Sequence, residues 1–244
     1  MPTPREPLPE DLWPFLERAS TATVTTQLFK RGLRRMHMVG VGPVSRRRRL
    51  MGEALTLRYI PAREDLDVVK VFQDPGHPQR RAIELAQPCQ VLVIDARGDT
   101  RAAAAGHILA TRLLRRGAAG LVTDGGLRDS PAIAAMDFPV YAAAASPAMN
   151  LTVHHAVDID VPIGCGGVPV FPGDVVLGDA EAVVVIPRHL AFEVARDAAE
   201  QERLESFVLD KIERGAPLPG TYPPSAATLD EYRVWRERGD RPPA

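Results

Sequence analysis

Residues 91–129 read VLVIDARGDTRAAAAGHILATRLLRRGAAGLVTDGGLRD, and the class of fold turns on this stretch. Val91 to Ile94 is a short unbroken apolar run, the pattern of a strand buried on both faces. Arg101 to Arg116 is rich in Ala and Leu and reads as a helix. Ala119 to Thr123 is a second apolar run. Strand, helix and strand within about 30 residues make a βαβ unit, two parallel strands joined by a right-handed crossover.

Working outward, Met51 to Ile60 alternates as a strand does. Residues 61 to 81 hold Pro61, Pro75, Gly76 and Pro78 and suit a structured loop or short helix. Phe138 to Ala143, Val157 to Val161, Val168 to Phe171 and Ala182 to Ile186 read as later strands separated by Gly and Pro turns. Residues 10 to 19 suit a short helix with Pro14 near its first turn. Ser20 to Thr26 leads into a second helix that reaches Arg31 and stops at Gly32. Arg188 to Arg214 reads as a long helix ending at Gly215, with prolines beyond. The expected organisation is one α/β domain over 1–244. Residues 1–17 form an N-terminal arm and helix, and 216–244 a tail whose single short helix suits packing on a neighbouring subunit.

Composition narrows the function. The chain has 30 basic and 31 acidic side chains, a net charge of -1, which gives no global attraction to nucleic acid or an anionic membrane. No segment approaches the ~20 apolar residues of a membrane span. Cys89 and Cys165 are the two cysteines, too few for a disulfide framework, and a reducing, cytoplasmic setting fits them. The run Arg46 to Arg49 is the one basic patch. It lacks interleaved aromatics and reads as a solvated turn.

The chemistry concentrates after the two strands of the βαβ unit, at the sheet edge where α/β proteins bind ligands. The first loop enters the helix around Gly106-His107, where free N–H groups and the helix dipole attract an anion. Gly106 lets a ligand approach. The second loop is Asp124-Gly125-Gly126-Leu127-Arg128-Asp129, whose glycines permit a tight turn. Arg128 can grip a carboxylate with a bidentate fork. Asp129 is a hard oxygen ligand suited to Mg²⁺ or Mn²⁺. Asp95, Asp99 and Asp124 read as loop caps, with Asp99 or Asp124 also placed to brace Arg128. Asp174 and Asp179 read as turn acceptors, His154 and His155 as core or surface histidines. Cys165 has no adjacent base in sequence to make it a nucleophile.

Two blocks carry a family resemblance. Gly98 to Asp129, ending in DGGLRD, and Ile163 to Pro187, IGCGGVPVFPGDVVLGDAEAVVVIP, together resemble the RraA-like family over roughly residues 18 to 215. That family includes the 4-hydroxy-4-methyl-2-oxoglutarate / 4-carboxy-4-hydroxy-2-oxoadipate aldolases and the regulators of ribonuclease E activity. The resemblance implies an αββα sandwich with a central βαβ unit and a long C-terminal helix, assembled as homotrimers or homohexamers with sites between subunits. It implies a divalent metal and a pyruvate enolate. The aldolase signature is an Asp, twenty residues, then Arg-Asp. Here Arg128 matches the arginine that holds the pyruvate carboxylate and Asp129 the metal-binding aspartate. Backbone amides near Ile108 and Leu109 would face the carboxylate. The first Asp is replaced by His107, with Ile108 to Leu127 as the twenty between. A neutral imidazole there can ligate or accept a proton. The acid that aldolases draw from a neighbouring subunit would come from the long helix, as Glu205 or Glu202. The implied activity is cleavage of a small 2-oxo acid: retro-aldol cleavage of a 4-hydroxy-2-oxo acid, or decarboxylation of oxaloacetate. The alternative is a non-catalytic regulator that binds a ribonuclease.

Overall fold

The structure, a computed structural model, describes residues 5–239. The first four residues of the expected arm and the last five of the tail lie outside the described residues. The elements follow the chain as helices α1 (Leu12–Arg18) and α2 (Thr21–Lys30), strands β1 (Gly42–Pro43) and β2 (Leu50–Pro61), α3 (Pro78–Leu85), β3 (Gln90–Asp95) and β4 (Ala103–Ala105). Then come α4 (His107–Arg115), β5 (Gly120–Thr123), β6 (Gly126–Leu127), α5 (Ser130–Ala134), β7 (Val140–Ala142), β8 (Ala144–Ala145) and β9 (His154–Ile159). A hairpin of β10 (Ile163–Cys165) and β11 (Val168–Val170) precedes β12 (Val175–Gly178), β13 (Val183–Ile186), α6 (Ala191–Glu213) and α7 (Ala226–Glu237).

Eight strands form the main sheet, in the order β1-β7-β5-β3-β2-β12-β13, with β9 also paired to β2. The expected βαβ unit is β3-α4-β5, with the two strands parallel and adjacent, Val91 opposite Gly120 and Ile94 opposite Thr123. The long strand β2 organises the rest. It runs parallel to β3 along one edge. Along its other edge it pairs first with β12 and then with β9, whose register shifts at a bulge between Arg58 and Tyr59. A small second sheet, β4-β6-β8, continues beyond the ends of the parallel strands.

The buried strands present side chains to two cores. Val91 and Val93 face one with Leu12, Leu16, Val24, Leu28 and Val194, so α1, α2 and α6 cover that side. Leu92 and Ile94 face the other with Ile83, Ala110, Leu113 and Ile133, so α3, α4 and α5 cover the opposite side. Helices on both sides of the strands make the αββα class, with the βαβ unit at its centre and the long α6 near the end of the chain. Arg49 departs from the expected solvated run. It is half-buried, and its guanidinium caps the carbonyls of Leu16 and Ala19 at the end of α1, while Arg46 to Arg48 stay exposed.

One helix begins later than its composition suggests. Residues 101 to 106 are not helical: Ala103 to Ala105 form β4, which pairs parallel with β6. Alanine favours a helix in isolation, but the buried Ala103, Ala104 and Ala105 are small enough to pack beneath the sheet edge, and strand pairing wins over propensity. Strand β9 begins at His154, three residues before the apolar run suggested. The tail helix α7 packs on the chain's own α6, through Tyr232, Trp235 and Phe207.

Candidate active site

Strands β3 and β5 end side by side, and buried carboxylates fasten the loops that follow them. Asp124 accepts hydrogen bonds from the amides of Ala96 (2.8 Å), Gly98 (3.0 Å) and Gly166 (3.3 Å), joining both loops to the turn of the β10–β11 hairpin. Asp95 accepts from the amides of Arg97 (2.8 Å) and Gly164 (3.4 Å). Burial pushes its carboxyl above the usual range. Asp99 is paired with Arg101, which holds its carboxyl well below that range. None of the three reaches Arg128, so the loop-capping role expected for them stands and the bracing role does not. Asp174 accepts from the amides of Phe171 (2.9 Å) and Arg188 (3.0 Å), as a turn acceptor does.

The two glycines before Arg128 serve close packing rather than an unusual backbone. Neither has a positive φ. A Cβ on Gly125 would lie 2.5 Å from Ala96 Cβ, and one on Gly126 would lie 2.8 Å from Ser146 Cβ and 2.9 Å from the Ala102 carbonyl. The chain therefore runs tightly against the loop after β3. Arg128 N–H then donates to the Ala105 carbonyl (3.1 Å), and Asp129 takes a left-handed conformation (φ +57°) at the start of α5. This turn delivers Arg128 and Asp129 to the beginning of α4.

Gly106 makes the meeting possible. Its own Cβ would fall 2.7 Å from Arg128 Cγ and 2.9 Å from Asp129 Oδ2. The glycine expected to admit a ligand also makes room for the Arg128 and Asp129 side chains. Asp129 Oδ2 accepts from the His107 amide (3.3 Å) and lies 3.5 Å from Arg128 Nε. The Ala110 amide is the one that donates back to Gly106, so the amides of Ile108 and Leu109 precede the first intrahelical bond.

A cavity of about 240 Å³ opens here, lined by Ala105, Gly106, Ile108, Leu109, Arg128 and Asp129. The Arg128 and Asp129 side chains are 47% and 42% exposed, open to a ligand. His107 stands between two lining residues but its imidazole is not part of the wall. Glu202 and Glu205 lie elsewhere in the chain. Glu202 accepts from the Ser20 amide (2.8 Å) at the start of α2, and Glu205 accepts from Gln201 Nε2 (2.8 Å). Ala103, Phe72, Gln79, Arg80, Met149 and Asn150 complete the cavity, and no motif in the sequence announces the last five.

Among the described residues no group of three or more His, Cys, Asp or Glu side chains gathers to hold a metal. Asp129 alone presents a carboxylate to the cavity. That suits an ion such as Mg²⁺, which takes one or two carboxylates and keeps its waters for exchange with substrate oxygens. It does not suit a closed structural site. His154 is buried against Tyr59, and burial lowers its pKa. His155 pairs with Asp67 at 2.8 Å, a partner from 88 residues away. Cys165 is buried, its thiol pushed well above the usual value by desolvation, and is inert as a nucleophile.

The RraA-like family, described as Aldolase/RraA, matches residues 21–185. A protein of Halalkalibacterium halodurans, provisionally named a 4-hydroxy-4-methyl-2-oxoglutarate aldolase, is 32% identical over 176 residues, 70% of this chain and 78% of its own. The crystal structure of RraAS2 from Streptomyces coelicolor, described as an unusual member of the RNase ES inhibitor RraA protein family, superposes with a TM-score of 0.73. It is 31% identical, over 84% of this chain and 98% of that one. An uncharacterized protein from Pseudomonas syringae shares the fold, with a TM-score of 0.75 at 22% identity over 89% of this chain and all of its own.

Proposed function

This chain belongs to the RraA-like family, and from that premise we propose that it is a divalent-metal-dependent carbon–carbon lyase acting on a small 2-oxo acid. The reaction is retro-aldol cleavage of a 4-hydroxy-2-oxo acid, or decarboxylation of oxaloacetate, and both leave the enolate of pyruvate. The observation that carries the reading is the contact of Arg128 and Asp129 with Gly106, which sets a guanidinium, a carboxylate and a helix N-terminus around one small cavity. A surface Arg-Asp pair would need no such fitted neighbour.

The residues divide the work. The Arg128 fork and the open amides of Ile108 and Leu109 hold the carboxylate of the 2-oxo acid end. Asp129 would hold the divalent ion, which when bound supplies Lewis-acid polarisation of the 2-oxo group. In the aldol case the proton of the 4-hydroxyl passes to a base as the C3–C4 bond breaks. The bonding electrons remain on the pyruvate fragment as an enolate, which is then protonated at C3. His107, placed between the cavity-lining Gly106 and Ile108, is the chain's own candidate for that base. A neighbouring subunit of a trimer or hexamer completes the site, covering the Ile108 side chain, which is 80% exposed in the single chain.

The second reading is a regulator that binds a ribonuclease, and the kinship with RraAS2 favours it. Release of pyruvate from oxaloacetate and from 4-hydroxy-4-methyl-2-oxoglutarate separates the two. The assay uses Mg²⁺ or Mn²⁺ against EDTA, with wild type and Asp129→Ala. The lyase reading expects metal-dependent release that the substitution abolishes. Absence of release from either compound by a folded oligomer, together with inhibition of a ribonuclease, would favour the regulator.

A further inference from the structure

Strand β4 is three residues long and leads straight into Gly106, the corner against which Arg128 and Asp129 pack. Its ladder to β6 joins Ala103 to Gly126 and Ala105 to Leu127, with a register shift between them, so Ala104 has no partner in it. Two side chains from elsewhere take the Ala104 carbonyl instead. Tyr59 Oη donates to it at 2.9 Å, and Gln79 Nε2 donates to it at 2.9 Å. Gln79 Nε2 also donates to Tyr59 Oη at 3.1 Å, which closes a triangle of hydrogen bonds behind the cavity wall.

Both side chains are held in place from outside the site. Tyr59 is buried on β2, beside the bulge in the pairing with β9, and its ring packs on His154 at 5.3 Å. Gln79 is buried in the first turn of α3. Burial pushes the Tyr59 phenol above its ordinary value, so the hydroxyl keeps its proton and stays a donor. Reversing the Gln79 amide would set its oxygen against the Ala104 carbonyl, which fixes the nitrogen toward it. The triangle thus ties the short β4 to β2 and α3. One residue further on, the Ala105 carbonyl accepts from the Arg128 amide (3.1 Å), and past Gly106 the His107 amide donates to Asp129 (3.3 Å). A shift at Ala104 is passed through these two bonds to Arg128 and Asp129 together.

Resting on the lyase reading of Arg128 and Asp129, we propose that Tyr59 and Gln79 are positioning residues for that site. They touch no substrate. They set the register of β4, and so the place of Gly106, the Arg128 fork, the Asp129 carboxylate and the first amides of α4 relative to one another.

Tyr59→Phe removes the hydroxyl and keeps the ring, and Gln79→Met removes the amide at nearly constant length. Steady-state pyruvate release from oxaloacetate with Mg²⁺ is measured on the full chain at a temperature where each variant is folded, together with hydrogen exchange read by mass spectrometry. Each substitution is expected to lower kcat at saturating substrate by at least about tenfold, toward the ~10²-fold that a displacement of 1 Å costs. Exchange should quicken over 103–108 and 126–129 and stay at the wild-type rate in the β3 and β5 strands. Gln79→Glu returns a donor only while its carboxyl is protonated, and burial raises its pKa from ~4.3. Its kcat, divided by that of wild type, should exceed the Gln79→Met ratio at pH 5.5 and fall toward it by pH 9. Unchanged kcat and unchanged exchange in Tyr59→Phe and Gln79→Met would overturn the positioning role and leave the lyase reading standing. So would a lower Tm with faster exchange throughout the sheet and a full kcat, the mark of a general stabiliser. No pyruvate release by wild type, with exchange quickened only over 103–108 and 126–129 in Tyr59→Phe, would remove the lyase reading and keep the positioning of Arg128 and Asp129.

Discussion

A methyl group at residue 106 would sit inside the contact distance of Arg128 Cγ and Asp129 Oδ2 alike. Arg128 Cγ lies near the root of its side chain and cannot swing aside as a guanidinium can. Gly106→Ala is therefore expected to displace both functional groups while leaving the two hydrophobic cores alone. Misplacement on the order of 1 Å costs about 10²-fold in rate, so kcat/KM for pyruvate release should fall by about that factor with little change in Tm. A fully active Gly106→Ala protein would show that the packing against Gly106 is not part of the site. Arg128→Lys asks a different question, since it keeps the charge but loses the planar fork. The expected fall in kcat/KM is about tenfold or more, the worth of one charge-assisted hydrogen bond. Steady-state kinetics on oxaloacetate would read it.

Short connections between elements are where carboxylates stabilise this fold, and Asp179 is the clearest case. It follows β12 and accepts from the Thr21 amide (2.8 Å), the Thr21 hydroxyl (2.8 Å) and the Glu181 amide (2.9 Å), fastening the start of α2 to the sheet. Burial pushes its carboxyl up, but these donors outweigh burial and hold it below the ordinary value. A depressed folded pKa gives stability that is present above the unfolded value near ~3.9 and is lost as pH falls through the folded value. Asp179→Asn should thus cost about 1 kcal/mol at neutral pH, and the deficit should shrink below pH ~4, as denaturant midpoints at several pH values would show. A deficit independent of pH would mean that the charge on Asp179 contributes nothing. Elements like β3, β5 and α6 were legible in the sequence because an unbroken apolar run or a long amphipathic stretch carries its own signal. Strand β12, Val175–Gly178, carries no such signal although it is wholly buried, since its apolar residues sit between two Gly-Asp turns. Strands β4, β6 and β8 are two or three residues long, too short for any period to show. At the site, Gly106, Arg128 and Asp129 could be found because they belong to one contiguous motif. Phe72, Gln79, Arg80 and Asn150 could not, because tertiary folding alone brings them there.

The molecule as a whole divides its apolar residues unequally. Two large cores lie on the two sides of the main sheet and share its strands, so neither can be lost without the other. A third, small cluster of Phe207, Val208 and Tyr232, with Trp235 packed against it, stands apart from both and holds α7 on the distal half of α6. Its rings are within 5.5–5.8 Å of one another. Around it run exposed or half-exposed polar contacts, Tyr232 Oη to Glu200 (3.0 Å) and Arg236 to Glu200 (2.8 Å). Exposed ion pairs of this kind are worth little, so aromatic packing must supply most of the hold. Few buried contacts mean a low local opening free energy, and α7 should open without unfolding the sheet. Trp235→Ala removes the largest side chain of the cluster, and truncations of this type cost about 3–5 kcal/mol when fully buried. The half-buried Trp235 should cost less, but enough to leave α7 mostly detached. Limited proteolysis should then cut the variant between Gly215 and α7 under conditions that leave wild type intact, while the main thermal transition of the remaining sheet domain stays close to that of wild type. A main transition that falls with α7 would show that the tail and the sheet form one cooperative unit.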